Sequence, residues 1–394
     1  MTSLFPAARA LESELIRLRR DLHRNPELSF RETRTAAVAA ERMRRLGWQV
    51  RTGVGRTGVV AELPHGDGPL VALRADMDAL PIQEQGEHEY RSMVPGVMHA
   101  CGHDAHVSIL VGAAAVLTAL QARRELPAGT VRLLFQPSEE TADEQGSSGA
   151  MRMIEDGAMA GVARIFGLHV GAHLPSGIAF ISPGPIMAGA TTFQVTVHGR
   201  SAHAARPHEG VDALVLAAHG ILACQDAVAR HLAPDQQGVL SIGTIRGGSA
   251  ENVLADRVEL HGTIRYFEDE VRDVLQRQLQ AAFAIADVLG GSADVQLGPG
   301  YPPLVNDERT TALARDAVAD TLGQNAVAPF RPMMGAEDFA LLAREAPGCF
   351  IWLGAALEPP REHHHPNFDI DESVLAKGAA ALAACAVHAL RQPD

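Results

Sequence analysis

Five short, mostly apolar runs, separated by stretches of helical length and spacing, set the strongest limit on the fold of this chain. Strands that are apolar along most of their length are buried on both faces of a sheet, which requires helices above and below it. Alternating strands and helices of this kind predict an α/β sheet covered on both sides. The runs are residues 58–63, 70–73, 131–135, 165–168 and 349–353, and the helices are residues 8–24, 32–46, 107–120, 149–156 and 336–346.

Residues 187–298 follow another pattern and predict a second domain. Strand, helix, two strands, helix and strand follow one another there, which is the split-βαβ, or ferredoxin-like, order. Turns rich in proline and glycine stand at both borders. We therefore expect a larger α/β domain from residues 1–186 and 299–394, with an inserted α+β domain. Its strands are residues 191–197, 239–245, 257–267 and 293–297, and its helices are residues 211–231 and 270–289.

Composition excludes several classes of function. The net charge of −13 argues against nucleic acid or an anionic membrane as a partner. No apolar stretch looks long and uninterrupted enough to span a bilayer, and residues 1–6 do not resemble a signal peptide. The four cysteines are widely spaced, which indicates a reducing cytoplasm rather than a disulfide framework. The single lysine, Lys377, is not part of a P-loop motif.

Side chains that bind metals cluster where the predicted strands end. A thiolate, carboxylates and imidazoles are ligands of hydrolytic metal centres, where a second carboxylate can take a proton from water. Ligands of open α/β sheets bind beyond the carboxyl ends of the strands, so these groups should meet at one edge. The sequence therefore predicts a metal centre there. The candidates are Cys101, His103, Glu139, Glu140, His169 and the run His363, His364, His365, with Asp76 and Asp78 at the end of another strand.

Each of these groups has a simpler explanation when taken alone. Cys101 beside His103 could be a small buried cysteine next to a surface histidine. Glu139 and Glu140 could form the acidic first turn of a helix, and His169 could be a core histidine. The run of three histidines could be a solvated loop in which at most one member has a role. Their expected convergence at one edge of the sheet favours the metal centre.

A second group of polar residues lies in the inserted domain. His203 follows its first strand, Asn252 lies in a glycine-rich loop, and Arg265 lies on a strand. An arginine and an amide suit the carboxylate of a small substrate, because arginine can bind it with two parallel hydrogen bonds. A surface arginine on an edge strand is the alternative.

Eight segments, in order along nearly the whole chain, resemble bacterial hippurate hydrolases and N-acyl-amino-acid amidohydrolases. The chain is also similar to plant indoleacetyl-amino-acid hydrolases, and all of these are metal-dependent enzymes of the aminoacylase/carboxypeptidase superfamily. The resemblance implies a metallopeptidase-like α/β/α catalytic domain and an inserted lid or dimerisation domain. The one variation noticed is Ser138, where alanine is frequent. The segments are residues 19–28, 74–82, 98–106, 135–140, 199–203, 250–253, 335–339 and 364–371.

The resemblance also implies a role for each candidate residue. Glu139 would be the general base, and His203, of this chain or of a dimer partner, would stabilise the oxyanion. Asn252 and Arg265 would bind the carboxylate and carbonyl of the substrate. Asp104 would orient His103, while Asp76 and Asp78 would have supporting roles. The implied metal ligands are Cys101 as the bridge, His103, Glu140, His169 and His364, with His363 or His365 as alternatives to His364.

The implied cofactor is a pair of divalent ions, manganese or zinc, while the mixed ligand set also admits cobalt or nickel. The expected reaction is hydrolysis of an N-acyl amino acid, hippurate-like or N-acetyl, by a cytoplasmic homodimer or dimer-based oligomer. A dipeptidase or carboxypeptidase with the same site is the nearest alternative. A non-catalytic homologue that binds a small molecule is another. A cysteine hydrolase using Cys101 with His103 is the rival enzyme, although residues two apart make poor geometry for a nucleophile and its base.

Overall fold

The computed structural model describes residues 4–392, which fall into two compact units. The first unit is Met1–Ile186, Val305–Arg331 and Asp338–Asp394, and the second is Met187–Leu304 with Pro332–Glu337. The second unit begins where the sequence predicts the insertion, but it extends to Leu304 rather than to residue 298, and it includes Pro332–Glu337, which the sequence assigned to the larger domain. Residues 1–3, part of the segment considered for a signal peptide, lie outside the described residues. The roles of the units as catalytic domain and lid or dimerisation domain stay predictions.

The elements are numbered in chain order. The strands are β1 (Gln49–Val54), β2 (Gly58–His65), β3 (Leu70–Asp76), β4 (Gly129–Gln136), β5 (Val162–Gly171), β6 (Ala179–Phe180), β7 (Gly184–Met187), β8 (Gly189–His198), β9 (Gly238–Gly247), β10 (Arg257–Tyr266), β11 (Ser292–Tyr301), β12 (Leu304–Asn306), β13 (Val327–Ala328) and β14 (Gly348–Gly354). The helices are α1 (Leu4–Arg9), α2 (Glu12–Arg24), α3 (Thr33–Arg45), α4 (His103–Ala122), α5 (Gly149–Glu155), α6 (Ala213–His231), α7 (Asp269–Phe283), α8 (Ile285–Val288), α9 (Glu308–Leu322), α10 (Phe339–Glu345) and α11 (Val374–Arg391). Short 3-10 turns cover Pro207–Glu209 and Gln324–Ala326.

The first unit is built on an eight-stranded sheet in the order β1-β2-β4-β3-β5-β14-β6-β13. Its centre, β4-β3-β5-β14, is parallel, and β1 and β2 pair antiparallel at one side. Helices α4 and α11 pack on β3 and β5, whereas α5 and α10 pack on each other and on β4, β5 and β14. This confirms the predicted α/β fold. The carboxyl ends of the parallel strands share one edge, which is where ligands of such sheets bind.

All five predicted strands of this unit are present, but two of its helices were not predicted. Helix α11 is apolar almost all round, and such a helix has little periodic pattern to detect. Helix α9 does have buried residues at helical spacing, among them Ala314, Ala317 and Val318, so its pattern is present in the sequence although the helix was not predicted. Helix α11 is buried along nearly its whole length. The predicted helix at 8–24 is broken into α1 and α2.

Three helices, α4, α6 and α11, are long and apolar enough to cross a membrane by length and composition, which the sequence did not lead us to expect. In α4 and α11, 72% and 89% of the most apolar window is buried inside the protein, so their hydrophobicity contributes to the core of the first unit. In α6 only 33% is buried.

The second unit has a four-stranded antiparallel sheet in the order β11-β8-β10-β9. Helices α6 and α7 cover one face, where Val195, Leu260, Leu275 and Phe283 belong to a common core. A groove of about 530 Å³ lies on the other face, lined by residues of β8, β9, β10 and β11. Every element of the predicted split-βαβ order is present.

Candidate metal centre

The loop that carries Cys101 and His103 lies directly against strand β5. Gly102, between them, caps α4 with φ +93°. A Cβ atom at this position would lie 2.4 Å from Cγ2 of Val170, the residue after His169. Only glycine combines this backbone conformation with so close an approach. The loop can therefore bring its thiol and imidazole next to the imidazole of His169.

Five predicted ligands form two overlapping groups of three donors. Cys101, His103 and His169 form one group, and Cys101, Glu140 and His364 form the other, with the donor atoms of each group within 4.8 Å of one another. The Cys101 Sγ atom lies 3.5 Å from Nε2 of His169. Nε2 of His364 lies 3.3 Å from Oε1 of Glu140. Cys101 is common to both groups, which is the position of a bridging ligand.

Hydrogen bonds determine which ring nitrogen of His169 and of His103 is available to bind a metal. Nδ1 of His169 donates to the carbonyl oxygen of Val170 at 2.8 Å, so the lone pair is on Nε2. Nδ1 of His103 lies 3.2 Å from Oδ1 of Asp78, which directs its Nε2 to the same space. Burial, with nearby His106 and His363, holds the pKa of His169 well below its ordinary value. The neutral form that binds a metal is therefore favoured.

The surroundings of these donors suit a divalent cation. Nε2 of His103 and Oε1 of Glu140 are buried without a hydrogen-bond partner among residues 4–392. Burial and the carboxylates of Glu140 and Glu139 raise the pKa of the Cys101 thiol well above its ordinary value. A thiolate here consequently needs a cation beside it. The same shift disfavours the cysteine hydrolase, since a nucleophilic cysteine needs a lowered pKa.

The structure distinguishes the three neighbouring histidines. Nε2 of His363 accepts a hydrogen bond from the backbone amide of Ala172 at 3.0 Å, and burial lowers its pKa to about 3. Nδ1 of His365 accepts from the amide of Asn367 at 3.2 Å. His364 has φ +57°, and its amide donates to the carbonyl of Ala100 at 2.8 Å. Of the three, His364 is the one grouped with Cys101 and Glu140.

A buried network surrounds Asp76, for which the sequence predicted a supporting role, and it adds His106, Arg74 and Asp338, which were not among the predicted site residues. Nδ1 of His106 donates to Oδ1 of Asp76 at 2.5 Å, and Nη1 of Arg74 donates to Oδ2 of the same carboxylate at 2.6 Å. Burial alone would raise the pKa of Asp76, but the charges of His103 and Arg74 hold it well below its ordinary value. Arg74 also donates to Asp338 at 2.9 Å. The only sequence signal for His106 is its place three residues after His103, near the start of the same helix.

The expected role of Asp104 is corrected by its contacts. Its Oδ2 atom lies 2.7 Å from Nδ1 of His23 and 2.9 Å from Nε of Arg19. The carboxylate within hydrogen-bonding distance of Nδ1 of His103 is instead that of Asp78. Asp104 lies in the first turn of α4 and binds residues of α2. Adjacency in the chain therefore did not indicate which carboxylate orients the ligand.

The three candidates in the second unit are on its surface or partly exposed. The backbone amide of Ala204 donates to the carbonyl of Asn252 at 3.0 Å, which ties the His203 and Asn252 loops together. Nδ1 of His203 accepts from the amide of Ala205 at 3.1 Å, so Nε2 carries the proton of the neutral ring. Arg265 is half-buried on β10, and no hydrogen bond or ion pair joins its guanidinium to residues 4–392.

A thiolate, carboxylates and imidazoles at the carboxyl ends of parallel strands define a metal-dependent hydrolase. Residues 72–388 match the peptidase family M20/M25/M40, and the chain belongs to this family.

Relatives along nearly the whole chain agree with this assignment. The chain is 40% identical over 374 residues to N-acetyl-L-cysteine deacetylase of Bacillus subtilis, covering 94% of this chain and 87% of that protein. It is 38% identical over 390 residues to IAA-amino acid hydrolase ILR1-like 2 of Arabidopsis thaliana, covering 96% and 85%. The structure resembles that of the Bacillus subtilis YXEP protein, described as a dinuclear metal binding peptidase, with a TM-score of 0.84, 35% identity and coverage of 98% and 99%. The protein is therefore an enzyme of the amidohydrolase and peptidase type.

Proposed function

We propose that this enzyme hydrolyses the amide bond of N-acyl amino acids, releasing a carboxylic acid and a free amino acid. The proposal is carried by one observation: Cys101 belongs to both groups of three donors. One bridging thiolate would let five side chains hold two ions. Two relatives, 40% and 38% identical, are named for N-acetyl-L-cysteine and for IAA-amino acids, which supports the same substrate class.

In this proposal His103 and His169 would hold one ion and Glu140 and His364 the other, with Cys101 near enough to serve either group. Manganese or zinc is proposed, since thiolate, imidazole and carboxylate ligands suit these ions, and cobalt or nickel would also fit. When bound, such ions supply Lewis acidity, which polarises a carbonyl and makes water more acidic. Asp78 would hold the ring of His103 so that Nε2 stays in place.

Glu139 is proposed as the general base. It is nearly buried, and its carboxylate lies within 4.8 Å of donor atoms of His103 and Glu140. It would accept one proton from the attacking water, whose oxygen becomes bonded to the acyl carbon. It would then return the proton to the amide nitrogen as the carbon–nitrogen bond breaks, so the amino acid leaves as an amine.

The carboxylate of the amino acid is proposed to bind Arg265. Burial lowers the pKa of Arg265, yet arginine stays charged in proteins, and this side chain has no counter-ion within the described residues. A half-buried cation without a partner is suited to a substrate anion. Asn252 would also bind the substrate, and Nε2–H of His203, of this chain or of a dimer partner, would donate to the oxyanion. Both loops lie near the Arg257 end of β10, whereas Arg265 lies near its other end.

We also propose a homodimer formed through the second unit. Strand β9 is at the edge of its sheet, with its outer side unpaired among residues 4–392, and its Ile245 is 51% exposed. Helix α6 of the same unit exposes Leu214, Val215 and Leu222, the last of them 69% exposed. Apolar side chains beside an open strand edge are typical of an interface. Sedimentation of wild type and Leu222→Glu tests this, and a wild-type monomer would exclude it.

A cytoplasmic location is proposed because all four cysteines are free thiols, which fits a reducing compartment. Detection of the protein outside the cytoplasm after cell fractionation would contradict it.

The test of the reaction is release of free amino acid from a panel of acetyl, benzoyl and indoleacetyl amino acids. Chelator-treated protein is assayed with manganese, with zinc or with no metal added, and a matched panel carries an amide in place of the free carboxylate. We expect turnover only with metal and loss of most activity on the carboxamides. Arg265→Gln should raise KM for the acids more than for the carboxamides.

A carboxypeptidase or dipeptidase would share the metal centre. Dipeptides and longer peptides with free carboxyl termini are therefore included as a second arm of the assay. Faster metal-dependent turnover of the peptides would replace the N-acyl amino acid proposal. Tight binding of an acyl amino acid without turnover of any substrate would indicate a non-catalytic binding protein.

A further inference from the structure

A separate cluster of donors, outside the five proposed ligands, joins helix α2 to the segment after β3. It consists of His23, Glu84 and His88, whose donor atoms lie within 4.8 Å of one another. Oε1 of Glu84 lies 2.9 Å from Nε2 of His88 and 3.3 Å from Nε2 of His23. We propose that these three side chains form a further zinc site with a structural role. This proposal does not depend on the reaction that the enzyme catalyses.

The hydrogen bond of His23 to Asp104 prepares its ring for a metal. Nδ1 of His23 lies 2.7 Å from Oδ2 of Asp104, at a position where both side chains are fully buried. The carboxylate at Nδ1 leaves Nε2 of His23 as the atom that a metal would bind, as in carboxylate–histidine–zinc arrangements. Nε2 lies 3.3 Å from Oε1 of Glu84, so either a proton or a cation lies between these two atoms. A zinc ion would take the place of that proton.

Glu84 presents one oxygen to the cluster and uses the other elsewhere. Its Oε2 atom accepts a hydrogen bond from the backbone amide of Ser92 at 2.6 Å, which leaves Oε1 towards the histidines. The side chain of Glu84 is only 2% exposed. A buried carboxylate oriented in this way favours a strongly bound cation over a solvated one.

His88 completes the set with an ordered ring. It stacks on Tyr90 with ring centroids 4.0 Å apart and an interplanar angle of 26°. Its side chain is 15% exposed, so an ion could enter from this side. Its Nδ1 atom is buried without a partner in the described part of the chain, so hydrogen bonding alone leaves the ring incompletely satisfied.

The distances between the donor atoms of His23, Glu84 and His88 suit a zinc ion. Ligand atoms about 2.0–2.1 Å from a tetrahedral zinc ion lie roughly 3.3 Å from one another. The two distances to Oε1 of Glu84, 2.9 Å and 3.3 Å, are close to that spacing. Two imidazoles and one carboxylate supply three ligands, and water can supply the fourth. The ion would fasten the segment with Glu84 and His88 to α2.

The experiment counts zinc in the full-length protein. Wild type, His88→Ala and Glu84→Gln are stripped with a chelator, reloaded with excess zinc, desalted and analysed by mass spectrometry for zinc per chain. We expect each variant to hold one zinc ion fewer than wild type. His208→Ala, which changes an exposed histidine of the second unit, should hold the wild-type number.

A second readout separates this site from the proposed catalytic centre. Thermal denaturation with increasing zinc should show a rise in Tm in wild type that is smaller in His88→Ala, and activity with metal should change less than twofold. His88 lies in a loop and Glu84→Gln keeps the size of its side chain, so at least one variant should fold, as circular dichroism will show. Equal zinc content in wild type and in every folded variant would overturn the proposal and show that hydrogen bonds alone hold the cluster.

Discussion

The backbone amide of Ser138 donates to Oε1 of Glu32 at 2.9 Å, although the two residues are 106 positions apart. The same oxygen accepts the amide of Phe30 at 2.9 Å, and the other carboxylate oxygen accepts the hydroxyl of Thr57. Ser138 has φ +47°, which is unfavourable for a residue with a side chain. Glu32 therefore holds a strained turn from which Glu139 follows directly.

We predict that Glu32→Ala lowers kcat by roughly 10- to 100-fold while KM changes little, because small displacements of a catalytic group cost that much. Glu32→Gln keeps an oxygen for both amides and should recover most of the activity. Steady-state kinetics of the two variants, with metal content measured in parallel, checks this.

The matched control is Thr57→Val, which removes only the hydroxyl contact to the same carboxylate. It should leave kcat within a few-fold of wild type. Glu32 would have only a structural role if Glu32→Ala reduced Tm but left kcat unchanged.

Substitutions of Asp78 and Asp104 should have different effects, because Asp78 contacts Nδ1 of His103 whereas Asp104 contacts His23. Asp78→Asn should weaken metal binding at the centre by roughly 10- to 100-fold, since the carboxylate that holds a ligand ring contributes this much. Asp104→Asn should mainly reduce stability, because it disturbs a buried pair with Arg19. The measurements are activity against free metal concentration and Tm. A larger loss of metal affinity in Asp104→Asn would restore the role expected from the sequence.

Strands β2, β3, β4, β5 and β14 could be predicted because their burial leaves a mostly apolar run in the sequence, whereas β1, β6 and β13 of the same sheet were not predicted. The position of Glu139, Glu140 and His169 at the sheet edge followed from the same runs, since ligands gather at carboxyl ends. Contacts between distant segments could not be predicted in this way. Glu32 and Ser138 come together only in the folded chain, and no local sequence pattern predicts their contact.

Helix α11 shows a different limit of sequence reasoning. It is buried along almost its whole length, so alanine and leucine occupy every side of it and no amphipathic period remains. Asp104 shows a third limit, because the direction of a side chain at the first turn of a helix depends on its neighbours in space. Helix α2 supplies those neighbours as Arg19 and His23.

Gly102→Ala should destabilise the protein and reduce its metal content together. A left-handed backbone costs roughly 1–2 kcal/mol for a residue with a Cβ atom, and the close contact with Val170 adds to this. Gly157→Ala is the control, because Gly157 also has positive φ, +75°, but nothing lies within 4 Å of its Cβ position. Chemical denaturation should show a larger decrease in the free energy of unfolding for Gly102→Ala than for Gly157→Ala. Equal decreases would mean that the backbone near Val170 shifts enough to remove the close contact.

Asp307 provides a pH-dependent contribution to stability far from the metal centre. Its carboxylate caps α9 by accepting the amide of Thr310 at 2.8 Å. Burial raises its pKa, but the hydrogen bond from the backbone amide of Thr310 outweighs this and lowers the pKa below its ordinary value. The cap therefore stabilises the fold above the ordinary pKa of aspartate, about 3.9, and is lost as the pH falls through the folded value.

Asp307→Ala should cost about 1 kcal/mol at neutral pH, as is typical for loss of an N-cap, and the difference from wild type should shrink below about pH 4. Asp307→Asn keeps a capping oxygen without a titrating group, so its smaller effect should vary less with pH. Urea denaturation of wild type and the two variants at about five pH values between roughly pH 3 and pH 7 measures the free energy of unfolding of each protein. A constant difference across this range would show that the charge of Asp307 contributes nothing.

Glu139→Gln and Glu140→Gln should separate catalysis from metal binding at two neighbouring positions. Glu139→Gln should keep wild-type metal content but lose roughly 10²- to 10⁴-fold in kcat, because an amide cannot accept the proton of the attacking water. Glu140→Gln should lose metal, since Glu140 is in the donor group with Cys101 and His364. Metal analysis and kinetics on the same preparations give both quantities. Full metal content in Glu140→Gln, or normal turnover in Glu139→Gln, would require the two roles to be exchanged or abandoned.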